Sequence, residues 1–186
     1  MGKNVKNSRR ARFKFPLLLL LINMVLPMPH ANASEVQQVT LAQAAQKSQL
    51  IFEGQVVSKR ESLAANGDPY TYFTFKILSV IKGGYALPTI ELGYMGGTTA
   101  DGFVMKISDM RMPKVGEHGI YFVESLTRQQ VHPLYGWQQG HYLVIPASVG
   151  TPARVIPVNT PAGAATAAPS LAQFKQQVRS LAGGVK

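Results

Sequence analysis

The chain has 186 residues, 19 Lys and Arg against nine Asp and Glu, a formal charge of +10 and no cysteine. Without cysteine, disulfides, lipoprotein anchoring, thiol catalysis and thiolate zinc are all excluded. The length suits one domain able to bury a sizeable core.

The charge is concentrated at the start. Met1 to Lys14 holds Lys3, Lys6, Arg9, Arg10, Arg12 and Lys14 and no acid. Phe15 to Leu26 is apolar and includes five consecutive leucines, Leu17 to Leu21. Pro27 and Pro29 break it, and Ala31-Asn32-Ala33 offers small residues where a signal peptidase reads. Residues 1–33 are therefore expected to be a secretory signal peptide, with the mature protein starting at Ser34 and exported, periplasmic or secreted. The apolar run, about 12 residues against the ~20 that span a bilayer, predicts no stable membrane insertion after cleavage. Ser8 to Lys14 partly resembles a twin-arginine signal, but Arg12 stands where an apolar residue is usual. The leucine-rich run suits the general secretory route, and both routes stay open. Cleavage takes six basic residues and no acid, which leaves a mildly basic domain and makes nucleic acid an unexpected partner.

In the mature chain, Thr40 to Ser48 reads as a short helix. Thr40 and Gln43 make a capping-box pattern, with Leu41, Ala44 and Ala45 as the apolar stripe. From Leu50 to Arg60, Leu50, Phe52, Gly54 and Val56 share one strand face, with Glu53, Gln55 and Lys59 on the other. Ala64 to Pro69 is turn-forming. Tyr70 to Ile81 is the strongest strand: Phe73, Phe75 and Ile77 alternate with Tyr72, Thr74 and Lys76. The apolar phase slips at Leu78, Val80 and Ile81, where a bulge would fit a coiling strand. Lys82-Gly83-Gly84 ends it. Thr89 to Tyr94 predicts a third strand with Ile90 and Leu92 inward. Gly96 to Lys114 is glycine-rich and then irregular, with Phe103 to Met105 a candidate edge strand. Ile120 to Val123 reads as a buried strand, Tyr142 to Ile145 as the last clear one, and Arg154 to Val158 as its echo. Short strands separated by turn signals predict an all-β domain. Residues 159–169 read as an Ala/Pro/Thr-rich linker and 170–186 as a helix capped by Ser170 with the stripe Leu171, Phe174, Val178 and Leu181. That stripe either docks on the β-domain or meets a partner.

Several segments together form a pattern: Leu50-Ile51-Phe52-Glu53-Gly54-Gln55-Val56-Val57, Tyr70 to Phe75, Val80-Ile81-Lys82-Gly83, Gly96-Gly97, Val115 to Phe122 and Gln139 to Val144. Over residues 40 to 147 the pattern resembles small exported bacterial domains similar to the netrin-like modules of tissue metalloprotease inhibitors. The resemblance implies a small five-stranded OB-like barrel over residues 34–158, with a short N-terminal helix and a C-terminal helix. It implies little about activity. The animal inhibitors place an N-terminal cysteine on the target's zinc, and this chain has none.

Chemistry-bearing motifs are scarce. His118, His132 and His141 show no metal-ligand spacing and no His-Glu-x-x-His occurs, so no metal and no cofactor is expected. Glu117-His118 reads as part of a turn. No Gly-x-Ser-x-Gly or Ser-x-x-Lys set is present, and Ser58, Ser79 and Ser148 have no evident base, so no catalytic residues are assigned. Asp101, Asp109, Glu117 and Glu124 need no catalytic explanation. Gly96-Gly97 lacks the following helix of a phosphate cradle and reads as a loop. Tyr135-Gly136-Trp137-Gln138-Gln139-Gly140-His141-Tyr142 concentrates aromatic rings and amides between glycines. Tyr135, Trp137, Gln138, Gln139 and His141 are therefore the candidate binding residues, the alternative being a turn in which Trp137 plugs the barrel.

The expectation is an exported, non-enzymatic binding or interaction module for a protein or cell-envelope polymer. An envelope hydrolase with an unrecognised site, or a protease inhibitor acting through loops, are the alternatives. Intact-mass analysis of the exported protein should show the loss of Met1 to Ala33. Full-length protein retained in the membrane would refute the cleavage.

Overall fold

The structure is a computed structural model that describes Gly2, residues 38–160 and residues 167–183. Apart from Gly2 these lie in one compact unit, Val36–Lys186. The expected signal peptide, but for Gly2, and the middle of the expected linker lie outside the described residues. Among the described residues no helix is long and apolar enough to cross a membrane.

Helix α1 (Leu41–Lys47) starts on the expected capping box. The Thr40 hydroxyl accepts from the Gln43 N–H at 3.2 Å, and Gln43 Oε1 accepts from the Thr40 N–H at 2.9 Å. Its other end is held from a distance. Lys82 Nζ donates to the carbonyls of Ala45, Gln46 and Ser48, each at 2.8 Å, covering carbonyls that the last turn of a helix leaves unpaired. Gly83 follows at φ +89°, and a Cβ there would lie 2.5 Å from the Gln49 carbonyl oxygen. The Lys-Gly that ends the second strand is therefore a clamp on α1.

Strands β1 (Leu50–Leu63) and β2 (Pro69–Lys82) form a long hairpin. Its turn is closed by the Ala64 N–H on the Asp68 carbonyl and the Asp68 N–H on Asn66 Oδ1. β3 (Thr89–Met95) follows, then the two-residue strands β4 (Gly97–Thr98) and β5 (Val104–Met105), which pair with each other. β6 (His118–Val123), β7 (His141–Ile145) and β8 (Arg154–Pro157) complete a six-stranded antiparallel sheet in the order β3-β2-β1-β6-β7-β8.

The domain is thus β-rich with two helices, but the five-stranded closed barrel is corrected. Among the described residues the sheet has two ends, β3 and β8, which do not pair with each other. The outer edge of β8 is met instead by the chain before α2, where the Val155 N–H donates to the Pro169 carbonyl at 3.0 Å. At the far end of β3 the Met95 N–H is taken by the Val131 carbonyl at 2.9 Å.

The sheet buries both faces. One carries Leu50, Phe52, Val56, Phe73, Phe75, Ile90, Leu92, Tyr94, Tyr121 and Val123. The other carries Ile51, Ile81, Ile120, Phe122, Val144 and Val155, covered by Ala44 and Ala45 of α1 and by Phe174 and Val178 of α2 (Leu171–Gly183). The phase slip in β2 serves this division. The β1–β2 pairing passes over Leu78 and Ile81, as two bulges would, so that Ile77 and Val80 stay with the first core while Ile81 joins the second. Gly54 sits opposite Gly119. A Cβ at either would collide with the Phe52 or Tyr121 ring, so the paired glycines let both rings lie flat across the sheet.

Helix α2 docks rather than standing free. Ser170 and Gln173 form a second capping box. Leu171, Phe174, Val178 and Leu181 all enter the second core. Lys175 Nζ meets Glu53 Oε2 of β1 at 2.5 Å.

Phe75 is 0% exposed at the centre of the first core, while Lys76 points to solvent. Phe75→Ala should cost about 3–5 kcal/mol and Lys76→Ala under about 0.5 kcal/mol in urea unfolding. Equal costs would mean that the register is wrong.

Candidate functional site

The five residues singled out in the sequence lie on one turn and the start of β7, and they differ in burial. Gly136 and Trp137 both have positive φ, at +67° and +58°, and lead into a short 3-10 helix, Trp137–Gly140. Trp137 is half-buried and stacks on His132, with ring centroids 5.6 Å apart and 12° between planes. Gln139 Oε1 accepts from the Val39 N–H at 2.7 Å. Tyr135 packs on the second core, and Gln138 is half-buried. His141 is 1% exposed, its ring 4.8 Å from that of Tyr121. His141 is thus closed to solvent, while the other four are half-buried.

Polar groups converge elsewhere, at Glu117, which reads as a turn residue in the sequence. Arg111 Nη2 donates to Glu117 Oε2 at 2.7 Å, and His141 Nε2 lies 2.9 Å from Glu117 Oε1. Arg111 Nη1 is 3.5 Å from His141 Nδ1. His141 is thus held between the two by proximity, its Nε2 close to Glu117 without a well-directed hydrogen bond. Burial holds the His141 pKa below its ordinary value even though Glu117 pulls it up. Burial raises that of Glu117, but His141 and Arg111 together bring it below the usual carboxylate range. A second cluster sits on the opposite face. Glu53, 7% exposed, meets His118 Nε2 at 2.9 Å and Lys175, and Ser79 Oγ donates to it at 3.3 Å. Here too burial raises the carboxyl pKa, while Lys175 and His118 outweigh it and lower it overall. The first cluster pins Lys106 to Val115 against the sheet, and the second pins α2.

The pinned segment builds the candidate site. Met110 and Met112 pack on the first core on either side of Arg111. Their outer surfaces, with Phe73, Met105, Ile107 and Pro113, form the apolar floor of a cleft of about 590 Å³ between the β1–β2 hairpin and the 104–115 segment. Val104 and Val115 line it at 64% and 55% exposure, and Phe103 beside them is 72% exposed. Lys59, Lys106 and Lys114 stand around the floor, and among the described residues none of them makes an ion pair. The one acid of the lining is Glu61. Its Oε2 accepts from the Thr98 N–H at 2.9 Å and from the Thr98 hydroxyl at 2.8 Å, and these bonds hold its pKa low. Gly96 and Gly97, at φ +118° and +139°, turn the chain out of β3 into the β4–β5 ribbon that walls the cleft. They are a bend that carries a strand, not the open loop expected. A side chain at Gly97 would press on Glu61 and Thr71.

Among the described residues no group of three or more His, Asp or Glu is placed to hold a metal ion. No family model, curated protein or solved structure matches the chain. The cleft residues were missed in the sequence because they lie in its least periodic stretch. One signal was present: Met105-Lys106 and Met110-Arg111-Met112-Pro113-Lys114-Val115 interleave thioethers with cations.

His132 lies 3% exposed between the Tyr94 and Trp137 rings. Burial, with His141 nearby, lowers its pKa from 6.5 to about 3. Between those values the unfolded chain binds a proton that the folded chain refuses. Stability is therefore highest above about pH 6.5 and falls on acidification, by up to about 1.4 kcal/mol per pH unit from this residue. Urea unfolding followed by Trp137 fluorescence at a series of pH values should show that slope, and His132→Phe should flatten it. An unchanged slope in the variant would refute the assignment.

Proposed function

We propose that the chain is an exported, non-enzymatic interaction module that takes a protein partner in the cleft walled by residues 104–115. The observation that carries this reading is the make-up of the cleft: an apolar floor reaching solvent, ringed by three ammonium groups against one carboxylate. Isolated exposed apolar residues are ordinary, but Phe103, Val104 and Val115 lie together beside a cavity, which is the pattern of a contact surface. Methionine suits such a floor, because its flexible thioether adapts to side chains of different shape.

The nearest thing to a catalytic dyad, Glu117 with His141, speaks for a structural part. Both Glu117 oxygens are engaged and His141 is sealed from solvent. We also propose that the sheet is an opened relative of the netrin-like OB barrel. Its support is the placing of β1 between β2 and β6, together with a single aromatic core shared by the same face of β3, β2, β1 and β6.

The test is capture from cell-envelope extract with the immobilised chain, compared with Val104→Asp/Val115→Asp. Both sites are exposed, so the variant should keep its melting temperature. Proteins held by the native chain should be lost from the variant. The same set retained by both would refute the cleft as the contact surface.

A further inference from the structure

The cleft's chemistry points to its occupant. Resting on the reading above, we infer that the cleft takes an acidic segment of a partner protein in which carboxylate side chains alternate with large apolar ones.

Charge complementarity is the first argument. Lys106 and Lys114 stand at the floor without an ion pair, and Lys59 lies in the field of the lining's only acid, Glu61, which already accepts two hydrogen bonds from Thr98. An approaching segment therefore meets a net positive rim, and carboxylates steer it there and fix its register. The same sign argues against two other occupants. The chain's own N-terminal stretch carries six basic residues and no acid over Met1 to Lys14, and a second copy of this chain would bring a like-charged rim to its twin.

The floor supplies the second requirement. Met105, Ile107, Met110 and Met112, each half-buried, present apolar surface in a cleft of about 590 Å³. That lies within the ~300–1,000 Å³ of ligand clefts and is room for a few side chains, not for a folded element. Apolar anchors supply the burial and carboxylates the orientation, which is the usual division of labour at an interface core and its rim.

The floor is also held ready. Arg111 is tied to Glu117 between Met110 and Met112, and Glu61 ties the β4–β5 ribbon to β1. Binding to a floor already ordered avoids the cost of ordering it.

The experiment is fluorescence anisotropy of the full chain with a short fluorescein-labelled peptide in which Asp and Glu alternate with Leu and Phe. Three comparison probes are used: the same peptide with Lys for each acid, the same peptide with Ser for each apolar residue, and vesicles of phosphatidylglycerol. The acidic apolar peptide should bind and weaken as salt rises. Lys106→Glu/Lys114→Glu, which reverses two rim charges, should weaken it about tenfold. Val104→Ser/Val115→Ser should weaken it as well, and the Lys and Ser analogues should bind poorly. Binding of the Lys analogue as tight as that of the acidic peptide overturns the inference. So does acidic-peptide binding indifferent to the two lysine reversals, or vesicle binding lost in the same variants while the peptide does not bind. If the peptide fails while capture from envelope extract remains dependent on Val104 and Val115, the partner chemistry is wrong and the cleft stands. If both fail, the functional reading falls with it.

Discussion

The β1–β2 ladder is the constraint on which the rest depends. It has to feed two cores at once, because aromatic side chains cover one face of the sheet and helices α1 and α2 cover the other. Strict alternation would place Ile77, Ser79 and Ile81 on one side. By passing over Leu78 and Ile81 the pairing sends Ile81 to the helices and keeps Val80 with Phe52 and Phe75. The same irregularities bend the hairpin, because a bulge increases local twist. Phe52, Phe75 and Tyr121 then meet ring against ring, with centroids 4.6–5.7 Å apart. Beyond the bulges Lys82 arrives over the open end of α1, where its ammonium has three carbonyls to satisfy.

Two buried carboxylates translate that framework into a surface. Glu117 holds Arg111 and His141, and Glu53 holds Lys175 and His118. A buried charge is costly unless paired, so each carboxylate organises the chain around it. Through Arg111, Glu117 fixes Met110 and Met112 with one side in the core and the other toward solvent. Because one segment both seals the first core and forms the floor of the cleft, substitutions there are expected to couple stability to binding, whereas Lys106, Lys114, Val104 and Val115 lie far enough out to separate the two.

Much of the architecture was legible in the sequence. Thr40 with Gln43, the alternation of Phe73, Phe75 and Ile77, the slip after Ile77 and the α2 stripe are local signals, set by backbone geometry over a few residues. The site was less legible. Trp137 and its neighbours stood out by composition, yet composition does not say which way a side chain points. Gly136 and Trp137 adopt positive φ and the chain turns there, sending Trp137 onto His132 and His141 into the interior. The histidines lack ligand spacing, but spacing does not exclude convergence. Positions 132 and 141 approach each other closely enough for His141 to affect the His132 pKa.

The amino-acid sequence by itself determined the longer strands, both helix starts, the slip near the end of β2 and the absence of any thiol chemistry, because each of these follows from neighbours in the chain. Only the tertiary structure decided that the sheet has two ends and that Glu53 and Glu117 are paired and buried. It also decided that the irregular stretch from Val104 to Val115 is a cleft wall. Those depend on residues such as Glu53 and Lys175, or Arg60 and Glu91, meeting across long separations in the chain. No local periodicity records such meetings, since they are set by which faces of the sheet remain to be covered once its strands have paired.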